Sequence, residues 1–335
     1  MSDKTKIEWA EATWNPITGC TKVSAGCKNC YAERDWARLS ANKSTRYYGR
    51  DFGNVQCHED VLALPLRWTK PKRIFVNSMS DLFHPNVPDS FIDRVFAVMA
   101  DSPQHTYQIL TKRPARMLKF LGDTEARRRN IAGWLKGNHW RCIPQNAFLQ
   151  LYPLPNTWLG VSVEDQAAAD ERIPLLLQTP AAVRWISAEP MLGPIDLACI
   201  DMRGTCASEC CGQFRLNALT GEQYCHEDSG VFDSGARLNW VVAGGESGPR
   251  ARPMHPDWVR SLRDQCAAAA VPFLLKQWGE WIDHDQPGVD MLGSDNSKLH
   301  LWPDRGCSVR LGKRAAGRLL DGKLHDEYPK TAGKA

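Results

Sequence analysis

Short β-branched and aromatic runs alternate with amphipathic stretches along most of this chain, the pattern of βαβ units around a parallel sheet. The runs predict strands over Arg73–Ser78, Thr106–Thr111, Thr157–Val163, Val183–Ala188, Leu238–Ala243 and Pro272–Lys276, with a weaker one from Ala12 to Ile17. Apolar spacing predicts helices over Tyr31–Leu39, Ser90–Ala100, Pro114–Leu121, Asp165–Leu177 and Pro256–Ala269. Ser90-Phe91-Ile92-Asp93 has the form of a capping box, and Pro114 and Pro256 suit a first helical turn.

Several predicted strands run into polar residues: Asn77-Ser78-Met79-Ser80-Asp81, Thr111-Lys112-Arg113, Ser162-Val163-Glu164, Ser187-Ala188-Glu189 and Gly244-Gly245-Glu246. In parallel β/α sheets the carboxyl ends of strands form the active face, so these polar ends point to one shared site. The alternation breaks between Cys199 and Ala236, where glycines and clustered cysteines read as an insertion. From about Trp281 onward the periodicity is lost and an irregular extension is expected. The expected organisation is therefore a core of residues 1–198 and 237–280, an insertion at 199–236 and an extension at 281–335.

Composition adds three constraints. No apolar run reaches the roughly 18 residues needed to span a bilayer, and Met-Ser-Asp-Lys-Thr-Lys lacks the apolar core of an export signal, so a cytoplasmic, non-membrane location is expected. The net charge is only +4, with local basic groups at Lys112-Arg113, Arg116, Lys119, Arg127-Arg128-Arg129 and from Arg310 to Lys323. Such groups suit phosphates or plain solvated helix faces. Twelve cysteines in a chain read as cytosolic favour metal or cluster ligation over disulfides.

Three of those thiols, Cys20, Cys27 and Cys30, fall within eleven residues, among glycines and small side chains that permit a wrapped backbone. Thiolates are the usual ligands of iron–sulfur clusters, and three of them leave one iron of a four-iron cluster open. A structural zinc loop completed by a distant ligand, for which Cys57-His58 is a candidate, uses the same thiols. Cys27-x-x-Cys30-Tyr31 resembles the second half of the radical S-adenosylmethionine (SAM) cluster loop, in which an aromatic residue follows the third cysteine. The gap from Cys20 to Cys27 encloses six residues, longer than is common in that loop.

The longer gap, with Trp14-Asn15-Pro16 before it, resembles the phage Gp37/Gp68-like (DUF5131) family of radical-SAM-like proteins. Phe75 to His84, Leu110-Thr111-Lys112-Arg113-Pro114, Trp158 to Glu164, Ser187-Ala188-Glu189-Pro190, Gly244 to Gly248 and Lys276-Gln277-Trp278-Gly279 carry the same resemblance. It implies an α/β fold, a partial (β/α) TIM-like barrel of the radical SAM type, with a [4Fe-4S] cluster on Cys20, Cys27 and Cys30. It also implies reductive cleavage of S-adenosyl-L-methionine to a 5′-deoxyadenosyl radical. Tyr31, Asn77, Ser78, Ser80, Asp81, Ser162, Glu164, Glu189, Gly244, Gly245 and Glu246 are the expected cofactor contacts. The glycines suit close backbone approach at a strand end, where adenine or substrate would lie. Lys112, Arg113 and Lys276 are candidates for an anionic substrate.

Within the insertion, Cys206, Cys210, Cys211 and Cys225, with Cys199 and His226, offer ligands for zinc or an auxiliary iron–sulfur cluster. The function expected is a radical SAM enzyme served by a reducing electron donor such as flavodoxin or ferredoxin. The basic groups and the phage association make a nucleic acid or nucleotide the first expectation for its substrate. The alternatives are a noncatalytic, zinc-stabilised protein that binds a phage or host partner, and a SAM-dependent methyltransferase. The latter would need a Gly-rich fingerprint near a first strand, which the sequence lacks.

Overall fold

The computed structural model describes residues 5, 7–137, 152–202, 214–225, 231–232, 235–289 and 298–330. Its main feature is a seven-stranded parallel sheet whose order follows the chain. The strands are β1 (Ala12–Trp14), β2 (Arg73–Val76), β3 (Thr106–Thr111), β4 (Thr157–Ser162), β5 (Val183–Ala188), β6 (Trp240–Gly244) and β7 (Phe273–Gln277). Helices α1 (Tyr31–Ser40), α2 (Asp89–Asp101), α3 (Pro114–Gly122), α4 (Thr124–Gly137), α5 (Gln166–Gln178) and α6 (Pro256–Ala268) lie in the connections. Sequential parallel strands joined through helices are the arrangement of a partial β/α barrel. No helix among the described residues is long and apolar enough to cross a membrane.

Two compact units divide the chain. The first comprises Met1–Val23, Ala32–Val161 and Gln178–Arg184; the second comprises Ser24–Tyr31, Ser162–Leu177 and Trp185–Ala335. In the first, β1 pairs with β2 through Ala12 and Ile74, and β2 with β3 through Arg73 and Thr106. Trp9 packs edge-on against Phe75 at 4.6 Å and Trp14 lies 5.9 Å from Tyr107, so aromatic side chains from early in the chain fill this core. Helix α2 buries Phe91, Ile92, Val95, Phe96, Val98 and Met99, each large side chain contributing about 1.5–3 kcal/mol on removal from water.

Two expectations in this unit change. The Ser90–Asp93 capping box does not form, because α2 starts at Asp89 behind Pro88 with no side-chain cap. Asp93 instead accepts from Arg127 (2.7 Å) and Asn130 (2.9 Å) of α4. Arg127, read from sequence as part of a basic group, is thus turned inward, with its guanidinium 4.3 Å above the Phe120 ring. Arg116 is likewise spent on its own chain, on Asp89 and the carbonyls of His84 and Val87.

In the second unit, β6 pairs with β5 through Trp240 and Trp185, whose rings meet at 5.3 Å, and with β7 through Val241 and Phe273. The insertion forms a four-stranded antiparallel sheet of Ile200–Asp201, Phe214–Leu216, Gln223–Cys225 and Val231–Phe232. Cys206, Cys210, Cys211 and His226 lie outside the described residues, as does the side chain of Cys225.

The C-terminal extension is not irregular as expected. Trp281–Asp283, Cys307–Arg310 and Leu299–Leu301 form a three-stranded antiparallel sheet with Cys307–Arg310 central, and Leu319–Leu320 pairs with Lys323–Leu324 in a hairpin. Beyond it the backbone runs along β7: Leu275 N donates to His325 O (3.1 Å) and Glu327 N to Phe273 O (3.2 Å). The Trp240 indole donates to Glu327 O at 2.8 Å, and Arg260 of α6 grips both Asp283 and Asp321. These contacts join strands too short to be read from periodicity.

Gly245 shows how tightly β6 and β7 end together. A Cβ there would stand 1.9 Å from Trp278 O, a backbone atom with no freedom to swing aside. We expect Gly245→Ala to lower unfolding stability by about 2–3 kcal/mol through overpacking, measured as a fall in the urea midpoint. An unchanged midpoint would mean that the two strand ends separate without cost.

Candidate functional site

In the first unit, the chain leaves β1 at Trp14 and is turned by backbone constraints before it reaches Cys20. Ile17–Thr18 pairs antiparallel with Gln56–Cys57, and Cys20 N donates to Phe52 O at 2.9 Å. Gly19 has φ 90°, and a Cβ on it would fall 2.6 Å from Asn54 O, so glycine is needed for that approach. Cys20 is half-buried and not disulfide-bonded.

The polar residues after β2 organise this turn. Asn77 adopts φ 62°, and its side-chain oxygen accepts from Ile17 N at 3.4 Å. Its amide nitrogen is buried without a hydrogen-bond partner. Ser80 donates to Ile17 O (2.8 Å), and Ser78 donates to the Asn15 side chain (3.1 Å). Buried Asp81 accepts from the Thr111 hydroxyl (2.8 and 2.9 Å), Lys112 N (3.2 Å), Phe83 N (2.9 Å) and Arg113 Nη1 (2.9 Å). Arg113 reaches onward to Cys20 Sγ (3.7 Å), Thr21 O (2.9 Å) and Thr21 Oγ1 (3.1 Å), and the Thr21 hydroxyl also meets His84 Nε2 at 2.9 Å.

In the second unit, Ala25–Cys27 forms a single tight turn, closed by Cys27 N donating to Ser24 O, and Cys30 immediately precedes α1. Gly26 N donates to Glu164 Oε1 at 3.4 Å. Glu164 is buried and paired with buried Arg172 at 2.9 Å. Asn29 donates to Glu246 (2.9 Å) and to Arg250 O (2.7 Å), while Arg252 binds both Glu246 oxygens and donates to Ala25 O (3.1 Å). Burial works against the Glu246 charge, but Arg252 and Asn29 outweigh it and hold the carboxyl below the usual carboxylate range.

The remaining strand-end residues form a second polar group in this unit. Lys276 donates to both Glu189 oxygens (2.8 and 2.9 Å), Gln277 donates to Glu189 (3.1 Å), and Ser162 donates to Glu189 O (3.2 Å). The Gln277 side-chain oxygen is buried without a partner. Gly244 O accepts from Met191 N, and Gly245 is closed over by Trp278 and Gly279 of the chain itself. Tyr31 is exposed and Lys112 half-buried.

Sequence reading did not find that the anchors of the cysteine segments would be Glu164, Glu246, Arg252 and Arg113. Nor did it find, among the described residues, two groups whose ligand atoms lie within 4.8 Å of one another, His255 with Asp257 and Asp304, and Asp283 with His284 and Asp285. His255 caps α6 by accepting from Asp257 N and pairs with Asp304 at 2.9 Å; Asp283 binds Arg260. Cys57 and His58, weighed from sequence as zinc ligands, sit beside the β1 exit. Burial, then the charge of Glu59, pushes the Cys57 thiol up.

A family profile described as a protein of unknown function, DUF5131, matches residues 4–329. The chain belongs to this family. No curated protein and no solved structure matches it. The DUF5131 match runs from before β1 through the C-terminal hairpin, so it spans the cysteine segment, the strand-end carboxylates and the extension alike.

The His58 ring meets the Thr18 hydroxyl at 2.7 Å, and Arg50 donates to the same hydroxyl at 2.9 Å. Thr18 Oγ1 thus links the Arg50 guanidinium to the His58 ring. Burial, then Arg46 and Arg50, lower the His58 pKa from its ordinary 6.5 to about 4. The unfolded chain takes up this proton first, so the His58 contribution is complete above pH 6.5 and declines as pH falls toward 4. Urea titrations across that window should show a shallower acid decline in His58→Gln than in the natural chain; parallel declines would remove His58 as their source.

Proposed function

We propose that this DUF5131 protein is a radical SAM enzyme in which Cys20, Cys27 and Cys30 hold a [4Fe-4S] cluster. The observation that carries this reading is the state of the three thiols. All are half-buried, none is in a disulfide, and each lies on backbone fixed by buried or half-buried charged side chains or by a helix start. Arg113 donates to the Cys20 sulfur, and Cys30 stands at the amino end of α1; both settings favour a thiolate. Three soft donors within eleven residues suit an iron–sulfur cluster with one open iron.

When bound, the cluster and SAM supply reductive formation of a 5′-deoxyadenosyl radical, with the electron drawn from a flavodoxin or ferredoxin. The chain's own residues bind, orient and exclude water. Asn77 fits this role: its buried, unpartnered amide suits an acceptor such as the methionyl carboxylate of SAM. Ser78 and Ser80 shape the turn around it. Asp81, Glu164 and Glu246 act in this reading as anchors of the cysteine segments, since the chain's own donors already surround them. Lys276 and Glu189, with the unpartnered Gln277 oxygen, are left to contact SAM or a polar substrate, a nucleotide or nucleic acid being the first to try.

Anaerobic reconstitution with iron and sulfide should load about four irons per chain and, under a strong reductant, release 5′-deoxyadenosine from SAM. Both should disappear in Cys27→Ala and persist in Cys210→Ala. Zinc in place of iron, with no deoxyadenosine formed, rejects the enzyme in favour of a zinc-stabilised binding protein.

A further inference from the structure

We infer that Arg113 is a positioning residue for Cys20, held by Asp81 so that it donates a hydrogen bond to the cysteine sulfur and raises the reduction potential of the cluster there. The inference rests on the cluster reading above. Its support lies in how the guanidinium is used. Nη1 donates to Asp81 (2.9 Å) and to Cys20 Sγ (3.7 Å), and Nη2 donates to Thr21 O (2.9 Å) and Thr21 Oγ1 (3.1 Å). The side chains of Arg113 and Asp81 are 10% and 7% exposed, so the pair is shielded from water.

A buried guanidinium needs a counter-charge and acceptors for its remaining protons. Asp81 supplies the first, and Thr21 and Cys20 supply the second. Asp81 is itself fixed by Thr111 and by the backbone of Phe83 and Lys112, so its position does not depend on Arg113 alone. Arg113 N donates to Thr111 Oγ1 at 2.9 Å, which sets the start of its side chain. The result is a rigid fork from the end of β3 to one sulfur ligand. Such hydrogen bonds to ligating sulfur, and positive charge beside it, stabilise the more negative, reduced cluster. A lysine could keep the charge there but could not also hold both Thr21 oxygens in a planar fork.

The test compares the reconstituted natural chain with Arg113→Gln and Arg113→Lys. It measures the reduced fraction at a fixed solution potential by electron paramagnetic resonance, and the rate of iron loss to a chelator. In Arg113→Gln the ratio of reduced to oxidised cluster should fall about ten-fold, a shift of about 59 mV for one electron, the size of one lost charge-assisted hydrogen bond. Arg113→Lys should restore the potential yet lose iron several-fold faster than the natural chain. A natural chain that takes up no cluster defeats the enzyme reading itself. A natural chain that loads, with an unchanged reduced fraction in Arg113→Gln, overturns the role of Arg113 alone. If Arg113→Gln does not fold, Arg113→Lys decides: iron loss at the natural rate overturns the inference, and faster loss at the natural potential upholds it.

Discussion

The buried charge of Asp81 sets the geometry around Cys20. A carboxylate removed from water at the end of a strand is costly unless donors surround it. Thr111, Lys112 N and Phe83 N meet part of that requirement, and Arg113 meets the rest. The three remaining terminal N–H groups of Arg113 then enter the same confined region, where they meet Thr21 O, Thr21 Oγ1 and the Cys20 sulfur. One charge thus fixes a residue sixty-one positions earlier in the chain.

The same logic recurs in the second unit. Glu164 is matched by Arg172 and has an oxygen left for Gly26 N; Glu246 is matched by Arg252 and still accepts from Asn29. Short polypeptide segments have few internal contacts and no core of their own. Here the segments that carry the cysteines take their shape from ion pairs rooted at the ends of parallel strands. Rigidity of this kind is what a reactive centre needs from its supporting residues.

The parallel strands were readable because each is a continuous apolar run bounded by polar residues, as strands buried on both faces must be. Thr106–Thr111 and Val183–Ala188 match the expected limits. Helix α4 was hidden because Arg127-Arg128-Arg129 reads as a solvated basic group, whereas Ile131, Ala132 and Leu135 are the buried face and Arg127 itself turns inward to Asp93. The C-terminal strands of two to four residues have no measurable period, and distant pairing alone makes them strands. The residue types of the candidate site were legible for the same reason as the strands, since they sit where apolar runs end. Their partners were not, because sequence position does not reveal which cation faces which carboxylate.

The backbone of residues 325–327 has a consequence beyond local packing. β7 is the last strand of an open sheet, and its outer side would otherwise offer unpaired amides and carbonyls to any extended peptide. Leu275 N and Phe273 O are already engaged by His325 and Glu327. The chain thereby blocks edge-to-edge polymerisation at that side of the sheet, using a segment folded back upon itself rather than a second molecule.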